Sequence, residues 1–198
     1  MPRRQPYKSA AERKADILDA TVDLLAEHGP DAVTVRQIAD RAGVKHALIF
    51  RHFGDKAALV QAATLGELRG WADVAGARRA PVDAFIAGFR YLVERRKVAE
   101  ALGRTLSGMS RPGLRPDTFP VVDTYVGVLV AAGMPARAAR DLTMAAVAII
   151  TGWVAAEDWW LAVGHYRGAT ARTRARRAVE AQIRLLVEAG IAASTATR

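Results

Sequence analysis

The sequence predicts an all-α protein, and three observations carry that prediction. Alanine is abundant, apolar residues recur at spacings of three and four, and strand-like alternation is absent. Proline and glycine fall in clusters that cut the chain into helical lengths: Gly29-Pro30, Gly43, Gly54, Pro81, Pro112 to Pro116, Gly133 to Pro135, and Gly164 to Gly168.

The first helix opens at Ser9, with Glu12 three residues on. In that capping-box spacing each side chain satisfies an orphan backbone N–H. Ile17, Thr21, Leu24, Leu25 and His28 then share one face, and Gly29-Pro30 stops the helix. A second box, Thr34 with Gln37, opens a two-turn helix over Val35 to Ala42. Gly43 permits a tight turn at positive φ, at a position where a Cβ is also expected to clash. Val44 closes the turn, and a third helix runs from Lys45 to about His52. Asp55 caps a fourth, with Leu59, Val60, Ala63 and Leu68 apolar. Five further helices are predicted over Val82–Glu100, Ala101–Met109, Asp117–Ala132, Ala136–Val163 and Ala171–Ala189.

The chain has 198 residues, enough to bury a full core. It contains no cysteine, which excludes disulfides, thiolate metal sites and cysteine nucleophiles. The net charge of +9 favours a polyanionic partner. That excess is not concentrated at the front: residues 1–60 hold 10 Lys/Arg against 8 Asp/Glu. Met1 to Lys14 is basic without an apolar run, so no secretory signal is read there. The longest charge-free stretch, Leu142 to Ala156, is 15 residues. At ~1.5 Å per residue it falls short of a bilayer core of ~30 Å, so a cytoplasmic protein with no membrane partner is expected.

Residues 34–53 carry the function. Two short helices around a glycine turn make a helix-turn-helix. Ile38, Ala42, Val44 and Ile49 are placed inward, with Ala39 small for close helix approach. Lys45, His46, Ala47, Phe50 and Arg51 are left on the outer face of the third helix, the element that enters the major groove in such motifs. Lys45 and Arg51 suit guanine or phosphate, and Ala47 suits a thymine methyl. An exposed Phe50 needs sugar or methyl groups to pack on. Thr34 and Lys56, each at a helix N-terminus, are candidate phosphate contacts, as is the arm at Arg3, Arg4 and Lys8. Such helix pairs also occur as plain core-forming hairpins. The double capping box, the inward set and the polar third helix together favour the DNA-reading form. The rival class is a helix-turn-helix that serves only as a protein-binding module; Lys45, Arg51, Lys56 and the basic arm argue against it.

These residues carry a resemblance. Thr34-Val35-Arg36-Gln37-Ile38-Ala39 with Ala42-Gly43-Val44, then Phe50-Arg51-His52-Phe53-Gly54-Asp55-Lys56, resembles the N-terminal domain of the tetracycline-repressor (TetR) family over residues from about 9 to 60. The family usually has Ser where Lys45 stands and Tyr where Phe50 stands, so two hydroxyls for phosphate are lost here. The resemblance implies a homodimeric transcriptional regulator, usually a repressor, on a palindromic operator of double-stranded DNA. It also implies a larger C-terminal helical domain that binds a small-molecule effector and dimerises. We therefore expect a three-helix DNA-binding domain over residues 1–55 and a helical ligand-binding and dimerisation domain over residues 56–198.

Residues 136–163 are apolar nearly all round, which demands burial on every side. A central position in the chain would satisfy that; a pocket on one face and a partner subunit on the other explain it better. The dimer is expected through helices near 136–163 and 171–189. Arg172, Arg174, Arg176 and Arg177 are read as a solvated face. Candidate effector contacts are Phe89, Met109, Phe119, Tyr125, Trp153 and Glu157, though for any one of the aromatics core packing is the favoured role. Glu157 and Asp158 beside tryptophans suit a cation, whereas Arg104, Arg111 and Arg115 suit a carboxylate or phosphate. The two readings point to opposite ligands. No catalytic set is found: His165 lacks a spaced metal-ligand partner, and no Gly-rich phosphate loop or Gly-x-Ser-x-Gly elbow occurs. No enzyme, cofactor or metal is expected.

Overall fold

The computed structural model describes residues 9–108, 119–168 and 170–196, and among these there are ten helices and no strand. They are α1 (Ala10–Ala32), α2 (Val35–Ala42), α3 (His46–Phe53), α4 (Lys56–Gly76), α5 (Pro81–Glu94), α6 (Arg96–Gly108), α7 (Pro120–Ala131), α8 (Ala136–Ala155), α9 (Glu157–Val163) and α10 (Ala171–Ala196). The arm residues Arg3, Arg4 and Lys8, and Met109, Arg111 and Arg115, lie outside the described residues.

Two apolar cores form, and α1 belongs to both. Ile17, Ala20 and Leu24 on one side of α1 join Val33, Ile38, Ala39, Ile49 and Leu59 in a small core under α2 and α3. Val22, Leu25 and Ala26, nearly half a turn round, join the large core built by α4 to α8 and α10. The helix is apolar on two stripes and so fixes the small unit against the bundle, lying along α6. His28, placed on the inner face by spacing, is exposed, because the inner stripes end at Ala26 and Gly29. Gly29 takes φ 75°, and this breaks the helical path before Pro30.

Three predicted boundaries move. The helix expected over Val82–Glu100 ends at Glu94, with Arg95 non-helical at φ −113°, ψ 53° and its guanidinium over the Tyr91 ring at 5.0 Å. The helix expected over Ala136–Val163 is two, broken at Ala156 (φ −118°, ψ 23°), and the break turns Glu157 inward toward α10. The last helix continues through Gly190 to Ala196. Gly190 marks contact and not an end: a Cβ there would lie 2.8 Å from Leu142 Cδ2.

Burial of 136–163 on every side is not met within one chain. Ala139, Leu142, Ala146, Val147, Ile150 and Val154 are core residues, but Met144, Ala145, Ala148, Ile149 and Gly152 face outward. Over 20 residues α8 is long and apolar enough to cross a membrane by length and composition, yet its inner face is part of the bundle core.

Candidate nucleic-acid interface

The caps that start α1, α2 and α4 form as the sequence dictates. The Glu12 backbone N–H donates to Ser9 Oγ at 3.1 Å, and the Ser9 N–H donates to the Glu12 carboxylate at 2.6 Å. The Gln37 N–H donates to Thr34 Oγ1 at 3.2 Å, while the Thr34 N–H and hydroxyl both donate to Gln37 Oε1, at 2.8 and 2.9 Å. The Thr34 hydroxyl is thus engaged in the cap, although the residue is exposed. Asp55 accepts from the Ala58 N–H at 2.7 Å, so its carboxylate occupies the α4 N-terminus next to half-buried Lys56.

Between α2 and α3, Gly43 takes φ 66°, ψ 33°, and its N–H and that of Val44 close the α2 C-terminus. The expected steric reason for glycine is corrected: a Cβ at Gly43 meets nothing within 4 Å. The left-handed backbone alone demands it. Ile49 is fully buried and anchors α3, with Leu48 and Phe53 packed at the margin of the small core. Lys14 stands over the Phe53 ring at 5.7 Å. Outside, Arg41 clamps Glu27 with two bonds of 3.1 and 2.9 Å, tying α2 to α1.

Lys45, His46, Ala47, Phe50 and Arg51 are all exposed, as read from the sequence. Lys45 is the α3 N-cap and makes no side-chain cap, which leaves its side chain to the outer face. A shallow depression of about 540 Å³ is lined by Arg13, Lys45, Ala47, Leu48 and Arg51, with the turn at Gly43-Val44. Arg13 is the residue that motif reasoning missed. Its signal is its place one turn after the Ser9 cap, at the start of the helix that crosses behind α3.

The effector candidates do not converge on one opening among the described residues. Tyr125 is fully buried, accepts the Trp71 indole N–H at 3.0 Å and stacks on Phe85 at 4.0 Å between ring centres. Phe89 is core, tilted against Trp153 at 5.6 Å; Trp153 and Phe119 are half-buried. Trp153 also lines an open groove of about 400 Å³ between α8, α9 and α10, with Ile149, Trp160, Val163, Tyr166 and Val179.

Glu157 is 2% exposed and accepts from Arg176 at 2.6 and 2.9 Å and from Arg172. Burial pushes its carboxyl up, but the hydrogen bonds and charges of Arg176 and Arg172 outweigh that and hold it below the ordinary value. Asp158 accepts from Arg96 and from Arg172, each at 2.6 Å. Two of the arginines expected to form a solvated face are therefore ion-paired. Among the described residues two buried hydroxyls have no hydrogen-bond partner, Thr105 Oγ1 on α6 and Thr143 Oγ1 on α8, two helices that pack together.

Comparison with known proteins agrees with this geometry. Residues 17–63 match the profile of bacterial regulatory proteins of the tetR family. Over 60 residues the chain is 50% identical to the HTH-type transcriptional repressor Rv3405c of Mycobacterium tuberculosis, covering 30% of this chain and 32% of that one. Over 82 residues it is 35% identical to the HTH-type transcriptional regulator BetI of Burkholderia thailandensis, covering 41% and 42%. The chain thus spans about a third to two fifths of the length of these two relatives. The fold extends further. A TetR-like transcriptional regulator from Rhodococcus sp. RHA1 superposes with a TM-score of 0.61 at 18% identity, covering 96% of this chain and 99% of that one. A TetR variant from Acinetobacter baumannii AYE, solved in complex with minocycline, gives 0.59 at 20% identity over 95% and 99%.

Proposed function

We propose, for a chain whose residues 17–63 match the bacterial regulatory proteins of the tetR family, a ligand-responsive and sequence-specific DNA-binding transcriptional regulator. One observation carries the reading: α3 is held by a buried Ile49 while Lys45, His46, Ala47, Phe50 and Arg51 all stand outward on one helix. Residues 1–55 form the DNA-binding domain and residues 56–198 the effector and dimerisation domain of this proposal. Lys45 and Arg51, with Arg13 beside them, supply base and phosphate contacts. Thr34 contributes by starting α2, whose Val35 and Arg36 N–H groups face phosphate, since its own N–H and hydroxyl are taken by the cap. The protein works in the cytoplasm as a repressor released from its operator.

A second copy covers the outer face of α8. Met144 and Ile149 on α8 and Leu185 on α10 are exposed, and the groove lined by Ile149 and Val179 joins the two helices. A dimer places two α3 helices in successive major grooves, ~34–36 Å apart, on a roughly palindromic site. The effector binds among α5 to α8, where the half-buried Phe119 and Trp153 are the candidates left accessible to it. Thr105 and Thr143 supply the unsatisfied hydroxyls it would meet. An effector acts through its different affinity for the two states, and a coupling of ~1–3 kcal/mol changes operator affinity ~5–150-fold.

The test uses variants on the duplex that the wild type selects. Lys45→Ala is expected to change base preference as well as affinity. Lys56→Ala is expected to weaken all sequences equally and to lower the salt slope by ~0.9. Unchanged affinity in both variants would overturn the assignment of this face to DNA.

A further inference from the structure

The outer face of α3 is divided, and the division names what it reads. At 100° per residue, the exposed positions run in the order His46, Phe50, Ala47, Arg51 around the helix, with the buried Ile49 on the far side. Phe50 and Ala47 occupy the centre of the exposed arc. His46 and Arg51 stand at its edges, and Lys45 stands at the helix start. Phe50 is 48% exposed, and the His46 ring meets it edge-on at 6.4 Å, which steadies the phenyl ring from one side. Among the described residues of α1 to α6, no other large apolar side chain is so exposed. The cations line the depression on the other side, with Arg13, Lys45 and Arg51 around Ala47; neither His46 nor Phe50 contributes to it.

An apolar centre with a cationic rim matches a surface that is apolar at a point and negative around it. In the major groove the thymine C5-methyl is that point, flanked by base acceptors and phosphates. We propose that Phe50, with Ala47 beside it, is a specificity-determining residue that reads the C5-methyl group of a pyrimidine, while Arg51, Lys45 and Arg13 hold the surrounding acceptors. This rests on the DNA-binding reading given above and assigns its base chemistry. The phenyl ring has no hydrogen-bonding group, so discrimination comes from the methyl alone.

The experiment replaces thymine by uracil, one position at a time, in the duplex that the full chain selects from a random pool. Uracil keeps O4 and loses only the methyl. At one or two positions per half-site the wild type is expected to bind uracil about fourfold more weakly, the factor that one buried methyl(ene) of ~0.8 kcal/mol gives. Phe50→Ala is expected to bind thymine and uracil duplexes alike at those positions. Arg51→Ala is expected to bind both more weakly and to keep the ratio. Phe50 is exposed, so its truncation leaves the core intact, and an unchanged melting temperature checks that. Equal binding of thymine and uracil duplexes by the wild type overturns the methyl assignment and leaves the DNA reading standing. Retention of the ratio in Phe50→Ala overturns the role of Phe50. Failure of the wild type to select any duplex overturns both, and leaves the exposed phenyl to a protein partner.

Discussion

The Trp71 indole N–H donates to the Tyr125 hydroxyl at 3.0 Å across the backbone of Gly88, and a Cβ on Gly88 would overlap both groups. This pair joins α4 to α7 at a point where α5 passes between, in the fully buried centre of the large core. Burial pushes the Tyr125 hydroxyl pKa well up, so the phenol stays protonated.

Gly88→Ala is therefore expected to destabilise the chain by ~1–3 kcal/mol, the cost of overpacking a rigid site. Tyr125→Phe is expected to cost ~1–3 kcal/mol, because it strands a buried indole N–H. Urea denaturation monitored by tryptophan fluorescence reads both. A neutral Gly88→Ala would refute the close approach.

At Gly43 the requirement is conformational. Gly43→Ala is expected to cost ~1–2 kcal/mol from the left-handed backbone, and Gly43→Asn clearly less, since Asn tolerates that region. Were crowding the cause, Asn, the larger side chain, would be worse than Ala. Thermal unfolding of the two variants separates these outcomes.

The cluster at Glu157 and Asp158 predicts an acid response. Hydrogen bonds from Arg96 and Arg172 hold Asp158 down to about 2. Its folded value lies below the unfolded one, so the stabilisation is complete above pH 3.8 and is lost as pH falls toward about 2. Asp158→Asn is expected to be less stable than wild type at neutral pH and equal to it near pH 2. Parallel curves for the two proteins across that window would contradict the pairing. Arg176→Ala is expected to cost ~2 kcal/mol, less than the ~3–5 kcal/mol of a fully buried pair, because Arg172 still neutralises Glu157.

The exposed face of α8 gives a fourth expectation. Sedimentation of the wild type is expected at twice 21.3 kDa, and Ile149→Glu is expected to sediment as a monomer with unchanged helix content. A wild-type monomer at micromolar concentration would overturn the dimer and the two-groove geometry with it.

What was legible in the sequence was local. Ser9, Thr34 and Asp55 cap helices because each side chain needs only a backbone N–H three residues away, and the sequence displays that spacing. The outward set on α3 follows from the same helical count. Breaks set by distant partners were not legible. No Gly or Pro marks Arg95, which leaves the helix against Tyr91, or Ala156, where the turn delivers Glu157 to arginines on α10. The last helix was expected to stop at Ala189, and Gly190 beyond it is instead a helical contact for Leu142 from another helix. The effector wall was read from aromatics that the core also uses, and Tyr125 went to the core.

The most direct test of the central claim is selection of duplexes from a random pool by the purified chain at ~0.15 M salt, where surface charge is realistically screened. The account predicts a palindromic consensus with half-sites one helical turn apart, bound more weakly by Arg51→Ala. Sequence-blind retention, or none, would contradict it.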